Sequence, residues 1–108
     1  MVENNDDVVD GPKWDVALAS LIREECQQQG EALTIADFSR LAREHGIRFD
    51  DIMETVFALC IHGQWRYTDA AGNAQPIIQE EVNRLYVDRR LYEKDLREYN
   101  GSWSPLNA

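Results

Sequence analysis

Apolar residues recur every three or four positions in three successive stretches of this chain. The first stretch runs from about residue 13 to 29, and its apolar stripe comprises Trp14, Ala17, Leu18, Leu21, Ile22 and Cys26. The second stretch, residues 35–45, has the stripe Ile35, Phe38, Leu41 and Ala42. The third, residues 51–62, is apolar over more than half of its circumference. This period is typical of amphipathic helices, so the pattern predicts three helices packed around one core.

Polar residues and glycines at the ends of these stretches predict where the helices begin and end. Gly30 and Gly46 follow the first two stretches and suit left-handed C-terminal caps. Thr34 is the expected N-cap of the second helix, with Asp37 in the capping-box position three residues later. Asp50 is the expected N-cap of the third helix.

The period changes to two after Gly63. Residues 64–68 alternate and are rich in aromatic side chains, residues 69–73 read as a turn, and residues 74–78 can return as a second strand. Pro76 either confines that strand to a sheet edge or marks the first turn of the last helix. Trp65 and Tyr67 share one face of the first strand, which is either part of the core or an exposed pair suited to binding a partner.

Residues 79–100 contain no glycine or proline and predict one long terminal helix. Its seam has heptad-like spacing and is apolar except at Arg89; it comprises Ile78, Val82, Leu85, Arg89, Tyr92, Leu96 and Tyr99. A helix of about 21 residues spans roughly 32 Å, which is longer than a three-helix body. Its second half is therefore either partly covered or paired with a second chain, and we expect a homodimer through Leu85, Arg89, Tyr92, Leu96 and Tyr99.

The order of helix, extended Leu33–Thr34, helix, glycine turn, helix and hairpin resembles the winged helix-turn-helix superfamily. The segment Leu41-Ala42-Arg43-Glu44-His45-Gly46-Ile47 is similar to the centre of such motifs, and Gly63 and Gly72 match the entry and tip of the wing. The implied fold class is mainly α with a small β-hairpin. We expect a disordered acidic lead (1–12), a winged-helix core (13–78), a dimerisation helix (79–100) and a tail (101–108) that folds back or docks elsewhere.

The charge of the chain changes what this resemblance implies. The net charge is −9; residues 1–12 contribute −4, and residues 34–78 still contribute −2. In DNA-binding members of the superfamily, the outer face of the second motif helix enters the major groove. Here that face carries Asp51, Glu54, Thr55, Ala58 and His62. Nucleic-acid binding rests largely on Lys and Arg, so this composition disfavours it.

We therefore expect a non-catalytic module that binds a protein partner through the outer face of the third helix together with Trp65 and Tyr67. The alternative is a sequence-specific DNA-binding regulator that uses Arg48, Thr55 and Arg66.

Residues that would indicate other functions are sparse. The sequence has no glycine-rich phosphate loop and no convincing nucleophile with a base, and its cysteines and histidines (Cys26, Cys60, His45, His62) lack metal-ligand spacing. No apolar run approaches the ~20 residues of a membrane span. We expect no catalysis, no metal, no cofactor and no membrane contact, and a cytoplasmic protein.

Overall fold

The structure, a computed structural model, describes residues 14–88 and 90–106. Its helices are α1 (Val16–Gln29), α2 (Ile35–His45), α3 (Phe49–Ile61), α4 (Gln79–Leu85) and a 3₁₀ helix, η1 (Glu93–Leu96). Its strands are β1 (Trp65–Thr68), β2 (Ala74–Gln75) and β3 (Ser102–Pro105). The described chain is thus mainly helical with a small antiparallel sheet, which confirms the predicted fold class. The predicted acidic lead, residues 1–12, lies outside the described residues.

The start of α2 and the C-terminal ends of α1 and α2 are set by the residues that the sequence indicated, whereas α1 begins at Val16, after the N-cap Asp15, and not near residue 13. Thr34 N donates to Asp37 Oδ2 at 2.9 Å, and Asp37 N donates to Thr34 Oγ1 at 3.4 Å, so the capping box is present. Gly30 and Gly46 follow α1 and α2 with φ of 78° and 64°. Few side chains adopt this left-handed conformation without strain.

The predicted start of α3 is wrong by two residues. Arg48 is the N-cap, and α3 begins at Phe49. Asp50 therefore lies inside the first turn, where its side chain is buried and accepts two hydrogen bonds from Arg48. The Asp50 carboxylate therefore pairs with Arg48 and does not cap the helix.

The core lies between α1, α2, α3 and the sheet. Helix α3 contributes most to it, as its wide apolar face indicated, through Ile52, Met53, Val56, Phe57 and Leu59. In α1, by contrast, only Ile22 is buried. Trp14, Leu18 and Leu21 are half-buried and Ala17 is exposed, so part of the α1 stripe remains open to solvent.

The three strands pair in the order β2-β1-β3. Tyr67 of β1 lies opposite Gln75 on one side and opposite Trp103 on the other. Leu33 then pairs with the outer side of β3: Leu33 N donates to Trp103 O at 2.8 Å, and Trp103 N donates to Leu33 O at 2.7 Å. The terminal segment therefore folds back as a strand between β1 and Leu33, which is the first of its two predicted alternatives.

An aromatic cluster fixes β3 against the helices. Trp103 is 0% exposed. The centroid of its ring lies 4.5 Å from that of Tyr67, 5.6 Å from Phe38, 6.4 Å from Tyr99 and 6.5 Å from Phe57. Such tilted and edge-on pairs add to the free energy gained from burial, so this cluster joins the sheet, α2 and α3 into one core.

The predicted helix over residues 79–100 is wrong. Helix α4 ends at Leu85, and Tyr86 is extended with φ −87° and ψ 124°. Val87 and Arg90 then exchange backbone hydrogen bonds across a tight turn in which Asp88 has φ 53°. Helix η1 follows and packs against α2, where Ser39 Oγ donates to Glu93 Oε1 at 3.2 Å.

The predicted dimer seam is lost with that helix. Leu96 is 2% exposed, and the ring of Tyr99 packs on Phe57 and Tyr67 at 5.9 and 5.4 Å, whereas Tyr92 is 52% exposed. These side chains do not share a face, and Leu85 is separated from them by the turn; Arg89 lies outside the described residues. The homodimer remains a prediction, but the surface through which it was expected to form does not exist as one face.

Gly101 lies where β3 leaves the preceding turn, and we expect Gly101→Ala to destabilise the fold. An added Cβ would lie 1.8 Å from Thr68 O and within 2.8 Å of the Asp69 backbone, neither of which is a flexible side-chain end. We expect the free energy of unfolding to fall by about 2–3 kcal/mol, measured by urea unfolding. Gly30→Ala, which meets no atom within 4 Å but has a positive φ, should cost only about 1 kcal/mol. Equal losses would contradict the steric explanation.

Candidate functional site

The described chain has a groove of about 1070 Å³ along α3, which we call the α3 groove. The outer face of α3 forms its floor. The start of α1 forms one wall and α4 forms the other. The residues that line it are Trp14, Asp15, Leu18, Arg48, Asp51, Glu54, Thr55, Phe57, Ala58, Ile61, His62, Gln79, Val82, Asn83 and Tyr86.

The structure places the predicted outer face of α3 at the bottom of this groove. Asp51, Glu54, Ala58 and His62 all line it, and all but the half-buried Ala58 are exposed. Thr55 differs from the prediction, since it is 3% exposed and its hydroxyl donates to Asp51 O at 3.2 Å. The Thr55 side chain is therefore committed within the helix and is unavailable to a partner or to DNA.

One end of the α3 groove is aromatic and apolar. The Trp14 ring lies 5.9 Å from the His62 ring at an interplanar angle of 47°, so a residue two positions before α1 packs on the end of α3. Leu18 of α1 and Ile61 of α3 extend this surface, and both are half-buried.

The other end contains an ionic cluster at the start of α3. The Arg48 guanidinium donates to both carboxylate oxygens of Asp50, at 3.0 and 2.7 Å, and Arg90 Nε lies 3.7 Å from Asp50 Oδ2. The Tyr86 hydroxyl donates to Asp50 O at 3.1 Å, which fixes the end of α4 beside this cluster. Arg48 is thus paired first with Asp50, and the nearby Asp51 carboxylate interacts with it more weakly.

Asp51 and Glu54 make this end of the groove electronegative. Both are exposed, and being three residues apart they lie on the same side of α3. Within residues 14–88 and 90–106, no ion pair satisfies either carboxylate. Burial raises the pKa of Tyr86, and the nearby Glu54, Asp50 and Asp51 raise it further. Asp50, Asp51 and Glu54 outnumber the two arginines beside them, Arg48 and Arg90, so the net charge at this end of the groove is negative.

The ion pair of Asp50 predicts a pH dependence of stability. The hydrogen bond from Arg48 lowers the pKa of Asp50 below 3.8, so its stabilisation is present above that pH and is lost as the pH falls through the lowered pKa. We expect Asp50→Asn to lower the free energy of unfolding by about 1–2 kcal/mol at pH 7. Urea unfolding at pH 7, 5 and 3 should show the difference from wild type shrinking below pH 3.8. A difference that does not change with pH would contradict this, and Asp51→Asn is the exposed control.

The aromatic residues of β1 do not belong to the predicted interaction surface. Trp65 and Tyr67 are each 3% exposed and face the core, which confirms the core alternative and makes their assignment as partner contacts wrong. Arg66, between them, points to the exposed face of the strand. Arg66 does not line the α3 groove, whereas Arg48 does. The two arginines of the DNA-binding alternative therefore do not lie on one common surface of the groove.

The described residues offer little reactive chemistry. None of their His, Cys, Asp and Glu side chains form a group of three or more that could hold a metal ion. Cys26 and Cys60 are both free thiols, and burial raises the pKa of Cys60 to about 12. None of the described helices is both long and apolar enough to cross a membrane. What the α3 groove provides is a shaped surface with apolar and charged parts.

The sequence alone did not indicate the walls of this groove. The apolar spacing predicts that Trp14 and Leu18 face the core, and it places residues 79–86 within a longer helix. Trp14 and Leu18 continue the same helical spacing as the buried Ile22, so the sequence carries no signal that separates the wall of the groove from the core.

Neither a protein-family model, nor a curated protein, nor a solved structure matches this chain.

Proposed function

We propose that this chain is a non-catalytic interaction module of the winged-helix type that binds a protein partner in the α3 groove. The observation that supports this most directly is the position of the outer face of α3. This face forms the floor of a cavity of about 1070 Å³, between two walls that carry apolar and polar groups. The four helices and the three-stranded antiparallel sheet of the described residues are compatible with the winged-helix fold.

The chemistry of the groove favours binding over catalysis. A catalytic site needs a nucleophile with a base, or a general acid and base held at suitable distance. Among the described residues, His62 is the one imidazole that lines the groove, and its ring packs against that of Trp14 in a tilted arrangement. Cys60 lies outside the lining, and the high pKa of its thiol keeps it protonated at neutral pH. Mixed apolar and polar surface of this kind is typical of sites that hold a partner.

DNA binding is disfavoured by shape as well as by charge. A helix that reads bases must enter a major groove about 12 Å wide, and residues of α1 and α4 stand beside the face of α3 that would have to enter it. Arg48 is paired with Asp50. We expect mixed DNA fragments to bind no tighter than about 10⁻⁴ M at physiological salt, measured by mobility shift. Micromolar binding that weakens with added salt and with Arg66→Ala would favour the DNA-binding regulator instead.

The proposal can be tested by filling the groove. Ala58 is half-buried on the floor, so Ala58→Gln places a longer neutral side chain there without changing the charge. Ala36→Gln is the matched control, because Ala36 is exposed on α2 and does not line the groove. Each full-length chain is immobilised and incubated with a nuclease-treated lysate of the source cells, and retained proteins are identified by mass spectrometry.

We expect the wild-type chain and Ala36→Gln to retain the same protein, and Ala58→Gln to lose it. Circular dichroism must show that both variants unfold at temperatures close to that of the wild type. A partner site in the α3 groove would be contradicted if all three chains retained the same proteins. It would also be contradicted if no retained protein were lost with Ala58→Gln.

A further inference from the structure

We propose that the segment bound in the α3 groove is a cationic amphipathic helix of a protein partner. This inference rests on the proposed function and names the chemistry of the bound segment. It follows from three features of the groove, namely the secondary structure of its lining, the length of its floor and the distribution of its charges.

The lining favours a helix over an extended segment. All of the described residues that line the groove belong to α1, α3 or α4 or lie next to a helix end, and none belongs to a strand. Backbone groups within a helix are already paired, so the groove offers no row of amides and carbonyls to an extended chain. An extended segment would leave its own backbone groups unpaired against apolar side chains, which is costly. A helix pairs them internally.

The dimensions of the floor suit about three turns. From Asp51 to His62 the floor spans eleven residue steps of α3, or about 16 Å. A volume of about 1070 Å³ lies at the upper end of the usual range of small-molecule pockets, about 300–1,000 Å³. A helix of about eleven residues that inserts side chains at positions i, i+3, i+4 and i+7 matches the length of the floor.

The charges of the groove indicate that the bound segment is positively charged. Asp51 and Glu54 lie at one end of the floor, and the nearest lining cation, Arg48, is held by Asp50 at 2.7 Å. The opposite end presents the apolar surface of Trp14, Leu18 and Ile61. Beside it lie His62 and a third lining carboxylate, Asp15, which caps α1. A complementary helix carries Lys or Arg at one end and apolar residues along the inserted side. Such complementarity chiefly raises the association rate and the specificity.

The same charges argue against two other occupants. Residues 1–12 of this chain carry four carboxylates and no base, so they are repelled by Asp51 and Glu54. A second copy carries the same net charge of −9. A basic partner in trans is the occupant that the electrostatics favour.

Model peptides can test this inference directly. The probe is a helix-forming peptide of about 18 residues, or five turns, in which leucines form one stripe and lysines occupy the other positions. Three companion peptides replace lysine by glutamine, replace lysine by glutamate, or keep the composition but scramble the stripe. Binding to the full-length chain is measured by isothermal titration, and the contact surface is mapped by amide chemical shifts.

Two double variants with the same net charge distinguish binding in the groove from general electrostatic attraction to the acidic chain. Asp51→Asn with Glu54→Gln removes two carboxylates from the groove, and Glu24→Gln with Glu98→Gln removes two exposed carboxylates that do not line it. We expect the groove pair to weaken binding of the lysine peptide by about three- to tenfold, since exposed ion pairs contribute modestly. The control pair should change it less than twofold. Ala58→Gln should abolish binding of the peptide.

The outcomes distinguish this inference from the proposed function. The inference is supported if three results are found together. Only the lysine peptide binds, its contact surface maps to α1, α3 and α4, and its binding weakens when Asp51 and Glu54 are neutralised. Equal binding of the glutamine or glutamate peptide overturns the cationic assignment, and equal binding of the scrambled peptide overturns the helix. Failure of all four peptides also overturns it. In each of these cases, capture of a partner that depends on Ala58 would leave the proposed function standing.

Discussion

Trp103→Ala is expected to lower the free energy of unfolding by about 3–5 kcal/mol, the usual cost of truncating a large buried aromatic side chain. Trp103 is 0% exposed and contacts aromatic rings from α2, α3, β1 and the segment before β3. Its removal leaves a cavity at the one point where all of these elements meet. The strand that carries it is also the strand that pairs with both Leu33 and β1.

Urea unfolding followed by circular dichroism measures this loss. Trp14→Ala is the matched control, because it is the same truncation at a half-buried residue on the wall of the α3 groove. We expect it to cost about 1 kcal/mol, since a surface site leaves no enclosed cavity. Similar losses at both positions would mean that β3 is not part of the cooperative core.

Leu96→Asp is expected to unfold the protein, because it places a carboxylate at a position that is 2% exposed. An unpaired buried charge costs several kcal/mol, which is most of the stability of a domain of this size. Circular dichroism should show loss of helix at 25 °C. This result differs from the one that a dimer seam predicts, where the same substitution separates two folded chains.

Tyr92→Asp provides the control within the same predicted seam. Tyr92 is 52% exposed, so this substitution should change the free energy of unfolding by less than about 0.5 kcal/mol. Sedimentation of both variants completes the test. If Leu96→Asp stays folded and its mass falls from that of a dimer to that of a monomer, the position of Leu96 in the core is wrong.

The sequence predicted best those features that depend on nearby residues. The capping box of Thr34 and Asp37 acts over three residues, and the left-handed glycines after α1 and α2 act on their own backbone. The apolar face of α3 was equally clear, because a helix that is apolar over half its circumference has to be buried. These features were predicted correctly because distant parts of the chain have little influence on them.

The error over residues 79–100 arose where distant contacts decide the structure. The spacing of the apolar residues is compatible with a helix, and neither glycine nor proline interrupts it. The chain leaves the helix at Tyr86, whose hydroxyl bonds to Asp50 O, 36 residues earlier. Leu91 and Leu96 are then buried in the core from irregular and 3₁₀ segments and not from one continuous helix. Tertiary packing overrides a weak helical preference of this kind.

The candidate site was predicted only in part for the same reason. The exposed residues of α3 follow from its helical period, and they do line the groove. The walls require knowledge of where α1 and α4 lie relative to α3. Their position depends on the contact between Trp14 and His62 and on the hydrogen bond of Tyr86 to Asp50. Sequence periodicity carries no information about such contacts.

The pairing of Leu33 with Trp103 also has a kinetic consequence. These residues are 70 positions apart, and closing a loop of that length costs about 4 kcal/mol of chain entropy before any contact is gained. The helices, whose hydrogen bonds are local, need no such closure. Folding of the sheet is therefore slow relative to folding of the helices. Until β3 arrives, β1 presents an open edge to other chains, so the concentration of protein during refolding determines how much of it aggregates.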